Sequence, residues 1–334
     1  MKRFETRQVG RTPLRLTVLG LGTGTLGGHR IPSTRDQGEA VVKAAWSAGV
    51  RYFDTAPFYG FGRACRIVGD ALRELPREGW VLSTKAGRLL RPQTTAGIPG
   101  ALRHPMPFED VFDYSYDGIM RSFEDSLQRL GLARIDILYV HDIGARQHGK
   151  HAHPGIFRSF RDGGYRALER LRSSGELGAI GIGVNEPEVL LEAIDRGDWD
   201  VFLLAGRYTL LEQTAVDDLL PRCLGSRISV VVGAPFNSGI LAGRDTWNYQ
   251  PPSPDIVGRV KKIRAICDSH RVPLAAAALQ FPLAHPAVAA ILPGPRNVDE
   301  FEANARLVQY PIPPALWADL RNAELLHPDA PTPA

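Results

Sequence analysis

Apolar residues in this chain come in short, nearly unbroken runs. Longer segments separate them, in which apolar positions recur every three or four residues. The runs are TVLGL (17–21), VRYFDT (50–55), WVLSTK (80–85), IDILYVH (135–141), AIGIGV (179–184), WDVFLLA (199–205), ISVVVGA (228–234) and AVAAIL (287–292). Such near-continuous apolarity predicts strands buried on both faces, as in a parallel sheet. Between them, Val41, Ala44, Ala45 and Ala48 share a helical face behind the capping residues Ser33 and Thr34. Ile119, Phe123, Leu127 and Leu130 share another, ending at Gly131. Residues 164–174, 186–195, 213–224, 257–269 and 297–308 continue the helical pattern. Ahead of the first run, a hairpin is expected to turn at Gly10-Arg11-Thr12-Pro13.

Eight strand–helix units predict an α/β fold, a closed (β/α)8 TIM barrel forming one domain over residues 1–334, with an N-terminal β-hairpin. A doubly wound sheet with a second domain would show a linker or a break in composition mid-chain, and the sequence has neither. The Gly-, Pro- and Arg-rich stretch 86–115 follows the third strand, 142–162 the fourth and 235–256 the seventh. All three are expected as long loops walling the mouth of the barrel.

One string argues for the competing fold. Gly22-x-Gly24-x-x-Gly27 follows a strand, and Asp54 ends the next one, as in a Rossmann dinucleotide site. That site needs a helix starting at the glycines, so that its N-terminus meets the pyrophosphate. Here HRIPST intervenes before the helix, and Asp54 lies beyond the usual spacing of about 20 residues. The glycines are better read as letting the first barrel loop run close to a ligand.

Bulk properties narrow the partners. Of 334 residues 44% are apolar and 23% charged, enough for a sizeable core. The net charge of +4 comes from 40 basic and 36 acidic side chains with no basic run, which disfavours nucleic acid. Cys65, Cys223 and Cys267 lack CxxC spacing, fitting a reducing compartment and no disulfide framework. The first residues lack the apolar core of a signal peptide. Apolar windows such as 272–284 are too short to span a bilayer. The expectation is a cytoplasmic protein acting on a small molecule, monomeric or a small homo-oligomer, with no membrane partner. His148, His151 and His153 cluster, but a solvated loop accounts for them better than a metal, and no metal is expected.

In such a barrel the C-terminal strand ends converge on one mouth. Three successive ends carry Asp54, Lys85 and His141, and Tyr59 lies just past the first. A tyrosine titrating near 10 is a poor base at neutral pH, and lowering it to about 7–8 takes roughly 3–4 kcal/mol. A lysine about 4 Å away supplies about 1 kcal/mol in water but about 4 at an effective dielectric of 20. Lys85 is therefore expected to activate Tyr59 in a partly dry pocket, with Asp54 holding Lys85 and His141 orienting a substrate oxygen. Phe58, Phe61 and Trp247 are candidate substrate contacts, and Asp142 a support for His141 or a helix cap.

These residues carry a resemblance. DTAPFYG (54–60), a lysine closing the third strand, a histidine closing the fourth, GELGAIGIGVN (175–185), PFNSGIL (235–241) and LPGPRNVDEFEANA (292–305) together resemble the aldo-keto reductase superfamily. The likeness runs over nearly the whole chain. APFYGFGR, YVHDIG, GRYTLLEQ and GAPFNSGILAG look most like its branch of D-threo-aldose (L-fucose) 1-dehydrogenases and pyridoxal 4-dehydrogenase. The resemblance implies a nicotinamide cofactor lying across the barrel mouth and Tyr59 as general acid/base, with Asp54, Lys85 and His141 around it. It implies Asn185 on the carboxamide, and Ser238 and Gly239 on the pyrophosphate, with Thr23, Phe236 and Leu241 also against the cofactor. Gly294, Arg296, Glu300 and Asn304 would hold the adenosine end.

This sequence also departs from the family pattern. Val184 stands for the usual serine before Asn185, Ala205 for a glutamine, and Cys65 lies near the position of an acid. The aromatic that usually stacks on the nicotinamide falls at Gly233, so the ring needs another platform. The lysine and arginine that usually grip a 2′-phosphate fall at Gly294 and Glu300, which favours NAD over NADP, with Arg296 a partial compensation. The function implied is oxidation of a sugar hemiacetal to its lactone. Pyridoxal oxidation, NADPH-dependent carbonyl reduction and a nucleotide-sensing regulatory subunit are the alternatives.

Overall fold

The structure, a computed structural model, describes residues 4–28, 33–93 and 103–333. Strands β1 (Thr6–Gln8) and β2 (Arg15–Thr17) form the antiparallel hairpin, with Gly10 left-handed at its turn. The barrel is built from β3 (Leu21–Gly22), β4 (Tyr52–Asp54), β5 (Val81–Ala86) and β8 (Ile137–His141), followed by β9 (Ala179–Val184), β10 (Val201–Ala205), β11 (Ser229–Gly233) and β12 (Val288–Leu292). Neighbours pair in that order and every pair is parallel. A parallel bridge between Leu19 and Ile291 closes the ring, so the eight expected units form a (β/α)8 barrel.

The first strand departs from its expected span. Residues 18–20 bond to β12, through Gly20 N–H to the Ile291 carbonyl at 2.9 Å, and only Leu21 and Gly22 pair with β4. Gly20 is squeezed at this seam, where a Cβ would stand 2.7 Å from both Tyr52 and Leu292 side chains.

Helices α1 (Arg35–Ser47), α2 (Arg63–Arg73) and α3 (Tyr116–Leu130) cover the first strands. Thr34 caps α1 in a capping box with Gln37, and Gly131 ends α3 in the left-handed region, both at the expected positions. The loop after β5 is more ordered than expected, because β6 (Arg88–Pro92) and β7 (Phe108–Phe112) pair as an antiparallel ribbon. Residues 94–102 of that loop lie outside the described residues. The loop after β8 holds α4 (Ala145–His148) and α5 (His153–Ser159), and α6 (Tyr165–Ser173) and α7 (Pro187–Ile194) follow.

The helix expected over 213–224 is shorter. One 3-10 turn at Thr214–Val216 precedes α8 (Leu219–Gly225), since Pro221 cannot donate to a helix running through from residue 213. Next come α9 (Pro254–Ser269), α10 (Leu274–Gln280), α11 (Val298–Leu307) and α12 (Pro314–Asn322). The periodicity had not singled out α2, α10 or α12 as helices.

Two cores result. One lies between strands and helices, including Val41, Leu72, Phe123 and Phe202. The other fills the barrel with Tyr52, Ile137, Tyr139, Val201 and Val231, stopped below by Val9 and Leu16 of the hairpin. Among the described residues no helix is long and apolar enough to cross a membrane.

Candidate active site

The strand ends converge as expected. Lys85 and Asp54 are both buried, and the Lys85 ammonium spends its three donors on Asp54 Oδ1 (2.9 Å), Asp54 Oδ2 (2.7 Å) and the Thr55 carbonyl (2.9 Å). Ser83 donates to Asp54 Oδ1 at 2.6 Å, and Tyr52 links Ser83 (3.0 Å) to Tyr139 (3.2 Å). The ion pair thus heads a hydrogen-bonded chain running down into the barrel, which fixes its geometry.

Half-buried Tyr59 lies over this pair, with Lys85 Nζ 5.1 Å from its ring centre and His141 edge-on at 6.3 Å. Its phenol is held well above the usual range, chiefly by burial and then by the charge of Asp54. This corrects the expectation that Lys85 lowers it. The three donors of the ammonium go to Asp54 and Thr55, so in this geometry the Tyr59 phenol stays protonated at neutral pH.

The glycines of the first loop serve this tyrosine. A Cβ on Gly27 would stand 2.5 Å from the Tyr59 carbonyl carbon, and one on Gly24 would touch the Tyr59 ring at 3.7 Å. They allow a close approach to the Tyr59 loop, where a ligand had been the expected neighbour. The first helix begins only after Thr34, so the Rossmann geometry is absent here.

His141 is buried at the other side. Burial lowers it to about 3, with Arg88 and Lys85 adding to the effect, so it is neutral at physiological pH. An unfolded histidine titrates near 6.5, so His141 contributes stability above that pH. This contribution is lost as pH falls from about 6.5 toward 3. The urea midpoint of His141→Gln should accordingly fall less than that of the parent between pH 7 and 4. Equal slopes would contradict this reading.

Asp142 follows with a left-handed backbone (φ 48°), its carboxylate 3.5 Å from His141 Nε2 and paired to Arg88. Burial opposes the charge on Asp142, but His141, then Arg88 and Lys85, outweigh it and hold the carboxyl below its usual range. Asp142 is therefore a support for His141. Arg88, which sequence reasoning missed, also pairs with Asp110 at 2.7 Å and lies over the Phe58 ring at 4.2 Å. Its only signal was its place three residues past Lys85.

The aromatic candidates separate. Phe58 is half-buried and edge-on to His141 at 6.4 Å, so it lines the site. Phe61 is buried behind it and packs on Phe58. Trp247 donates its indole N–H to Glu212 at 2.8 Å and packs against the outer core. Two residues on, Tyr249 is the aromatic beside Asn185. A tight turn closes by reciprocal Trp247–Gln250 bonds of 2.8 and 2.9 Å, with Asn248 (φ 48°) and Tyr249 (φ 66°) both left-handed. Asparagine enters that conformation readily, but a tyrosine does so rarely. Ser238 Oγ accepts from Tyr249 N–H at 3.1 Å, and Arg207 donates to Asn248 at 2.7 Å. The turn presents the Tyr249 hydroxyl to Asn185 and to the neighbourhood of Tyr59 and Asp142.

Residues suited to a nicotinamide dinucleotide extend from here. Asn185 donates to the Ala205 carbonyl at 2.9 Å. Buried Thr23 donates to the Asp54 carbonyl at 2.8 Å. Asn237, Ser238 and Gly239 are consecutively left-handed, turning the loop after β11 past half-buried Phe236 and buried Leu241. A Cβ on Gly294 would meet the Gly22 carbonyl and Thr25 at 3.5 Å. Arg296 and Arg244 both donate to Glu300, at 2.6 and 3.1 Å, and Asn297 caps α11, in which Asn304 is buried. Burial opposes the charge on Glu300, but Arg296 and then Arg244 outweigh it and hold the carboxyl below its usual range. An amide, a hydroxyl, two guanidinium groups and a helix N-terminus are a donor set that fits such a cofactor.

The histidine cluster disperses. His148 bonds the Tyr114 hydroxyl at 3.0 Å, whereas His153 bonds Glu192 at 3.1 Å. Cys65 is buried in α2 beside Thr55, with burial raising its thiol.

A barrel with an acid, a lysine and a histidine at three successive strand ends, and a tyrosine in the loop past the first, is matched by family comparison. Residues 18–324 fit the model of the aldo/keto reductase family, and the chain belongs to that family. Among curated relatives it is 42% identical to pyridoxal 4-dehydrogenase of Microbacterium luteolum, over 98% of this chain and 99% of the relative. It is 37% identical to D-threo-aldose 1-dehydrogenase of a Pseudomonas species, over 96% of each. The solved aldo-keto reductase AKR11C1 from Bacillus halodurans, in its holo form, superposes with a TM-score of 0.78 over 97% of each chain, at 24% identity. The chain is thus a nicotinamide-dependent oxidoreductase of the aldo-keto reductase type.

Proposed function

We propose that this enzyme oxidises the hydroxyl of a cyclic hemiacetal to a lactone with NAD, Tyr59 being the group that moves the proton. The observation that carries the reading is Tyr59 packed over the buried Lys85–Asp54 pair and edge-on to a neutral His141. NAD supplies the hydride acceptor when bound. Asn185, Thr23, Ser238 and Gly239, with Phe236 and Leu241 beside them, would hold its nicotinamide and pyrophosphate. Gly294, Arg296, Glu300 and Asn304 would hold its adenosine end.

His141, without a charge, donates or accepts a hydrogen bond to the substrate oxygen and keeps it beside the Tyr59 hydroxyl. Lys85 and Asp54 hold the floor beneath. In the oxidative direction the substrate hydroxyl proton passes to the Tyr59 oxygen, which must first be a phenolate. In reduction the neutral phenol returns that proton to the carbonyl oxygen.

Pyridoxal is the substrate this reading puts first. Its cyclic hemiacetal carries an aromatic ring, and Phe58 and Tyr249 give the mouth aromatic walls. The 42% identity to a pyridoxal 4-dehydrogenase supports the same choice. The sugar reading, with L-fucose or another D-threo-aldose, is the second, supported by the 37% relative.

Glu300 supports NAD. Its charged carboxylate occupies both Arg296 and Arg244, where a 2′-phosphate would have to compete with it. Turnover of pyridoxal and of a panel of aldoses, each with NAD and NADP, tests the reading. Pyridoxal with NAD should give the highest kcat/KM, and oxidation of no hemiacetal would overturn the reading. Glu300→Lys should shift the NAD/NADP ratio toward NADP by about tenfold, the worth of one charge-assisted contact. An unchanged ratio would reject the assignment of the phosphate site.

A further inference from the structure

A cavity of about 360 Å³ lies outside the barrel, against α2 and the adjoining parts of α1 and α3. Five arginines line it: Arg35 on α1, Arg63, Arg66 and Arg73 on α2, and Arg129 on α3. The one carboxylate in the lining is Asp70. On α2 the spacing of 63, 66, 70 and 73 puts the charged side chains along one helix face.

Their pairing leaves a cationic excess. Asp70 accepts from Arg35 at 2.8 Å and pairs with Arg73, and Arg35 also holds Glu39 at 2.6 Å. Arg63 spends its terminal nitrogens on the carbonyls of Ser33 and His104 (3.0 Å), and its buried Nε has no hydrogen-bond partner. Among the described residues Arg129 has a 3.4 Å bond to Ser126 Oγ and the thiol of Cys65 beside it. The Arg66 side chain has no hydrogen bond or ion pair among the described residues. With both carboxylates counted, three positive charges in this cavity remain uncompensated. Arg35, Arg66 and Arg73 are exposed at its rim, and three helices bring the five arginines together around one hollow.

We infer that this cavity is a second binding site, for a small molecule bearing a phosphate group. Guanidinium forks match phosphate oxygens in pairs, and a phosphate dianion offsets the excess better than a single carboxylate. The volume is that of a small-molecule site. None of its lining residues belongs to the nicotinamide site proposed above, so the two can be filled together.

Isothermal titration with inorganic pyrophosphate and with inorganic phosphate, on protein with and without saturating NADH, tests this. The expected result is saturable binding of one equivalent per chain that persists in the presence of NADH. Arg66→Glu, which breaks no internal bond, should weaken it by about tenfold. Binding that disappears when NADH is present would place the anion in the cofactor site and overturn the inference. So would binding equally tight in Arg66→Glu, or heat no larger than that of potassium chloride at matched ionic strength. None of these outcomes depends on which substrate the barrel mouth accepts.

Discussion

Tyr59→Phe should lower kcat for oxidation by about 10²- to 10⁴-fold, the usual worth of a positioned acid/base. The affinity for NAD, followed by quenching of tryptophan fluorescence, should stay unchanged. The edge-on contact with His141 survives this substitution, and only the hydroxyl is removed. The pH profile gives a second readout. Burial and the charge of Asp54 hold the Tyr59 phenol high, so the phenolate needed for oxidation is scarce at neutral pH. The parent rate should climb about tenfold per pH unit below the phenol's titration, since the active fraction does. The residual rate of the phenylalanine variant should lack that slope. Near-parental turnover in the variant would remove Tyr59 from the chemistry.

Lys85→Met should cost both activity and about 3–5 kcal/mol of stability, because it leaves Asp54 as an uncompensated charge in a buried site. Urea unfolding would register the loss as a lower midpoint. Removing both partners separates the two effects. In Asp54→Leu/Lys85→Met no buried charge remains, so stability should return to within about 1–2 kcal/mol of the parent. Turnover should stay low, because the floor under Tyr59 is gone. Recovery of activity in the double variant would make the pair a folding device only. Failure of stability to recover would mean that the Tyr52–Ser83–Tyr139 chain, not the ion pair, dominates the site's energetics.

Much of this was legible from the residues alone. Strands buried on both faces have nowhere to hide a polar residue, so their continuous apolar runs stand out, and the acid, lysine and histidine closing three of them stand out equally. The caps Thr34 and Gly131 were readable because each satisfies backbone groups locally. What escaped depends on long-range partners. Tyr249 reaches Asn185 through a turn held by Ser238 and Arg207, in which the tyrosine as well as Asn248 is left-handed, and local rules favour only the asparagine there. The β6–β7 ribbon pairs segments separated by a long loop, which removes the short-range hairpin signal. The protonation of Tyr59 was misjudged because charge was counted pairwise. Lys85 is near, but Asp54 already holds it, and desolvation then decides.

The thin seam at β3 bears on how the chain is made. β3 is the first barrel strand to leave the ribosome, and β12, which closes the ring against residues 18–20, is the last. While the intervening residues are synthesised, the growing sheet carries two open edges, and open edges invite pairing with neighbouring chains. The edge that waits longest is also the shortest, two residues long, and the hairpin beside it can form from local sequence alone. Arg7 of that hairpin later clasps the carbonyls of Leu283 and Val288, both at 2.8 Å. The earliest segment thus offers little to mispair with, and it holds the arriving last strand in register.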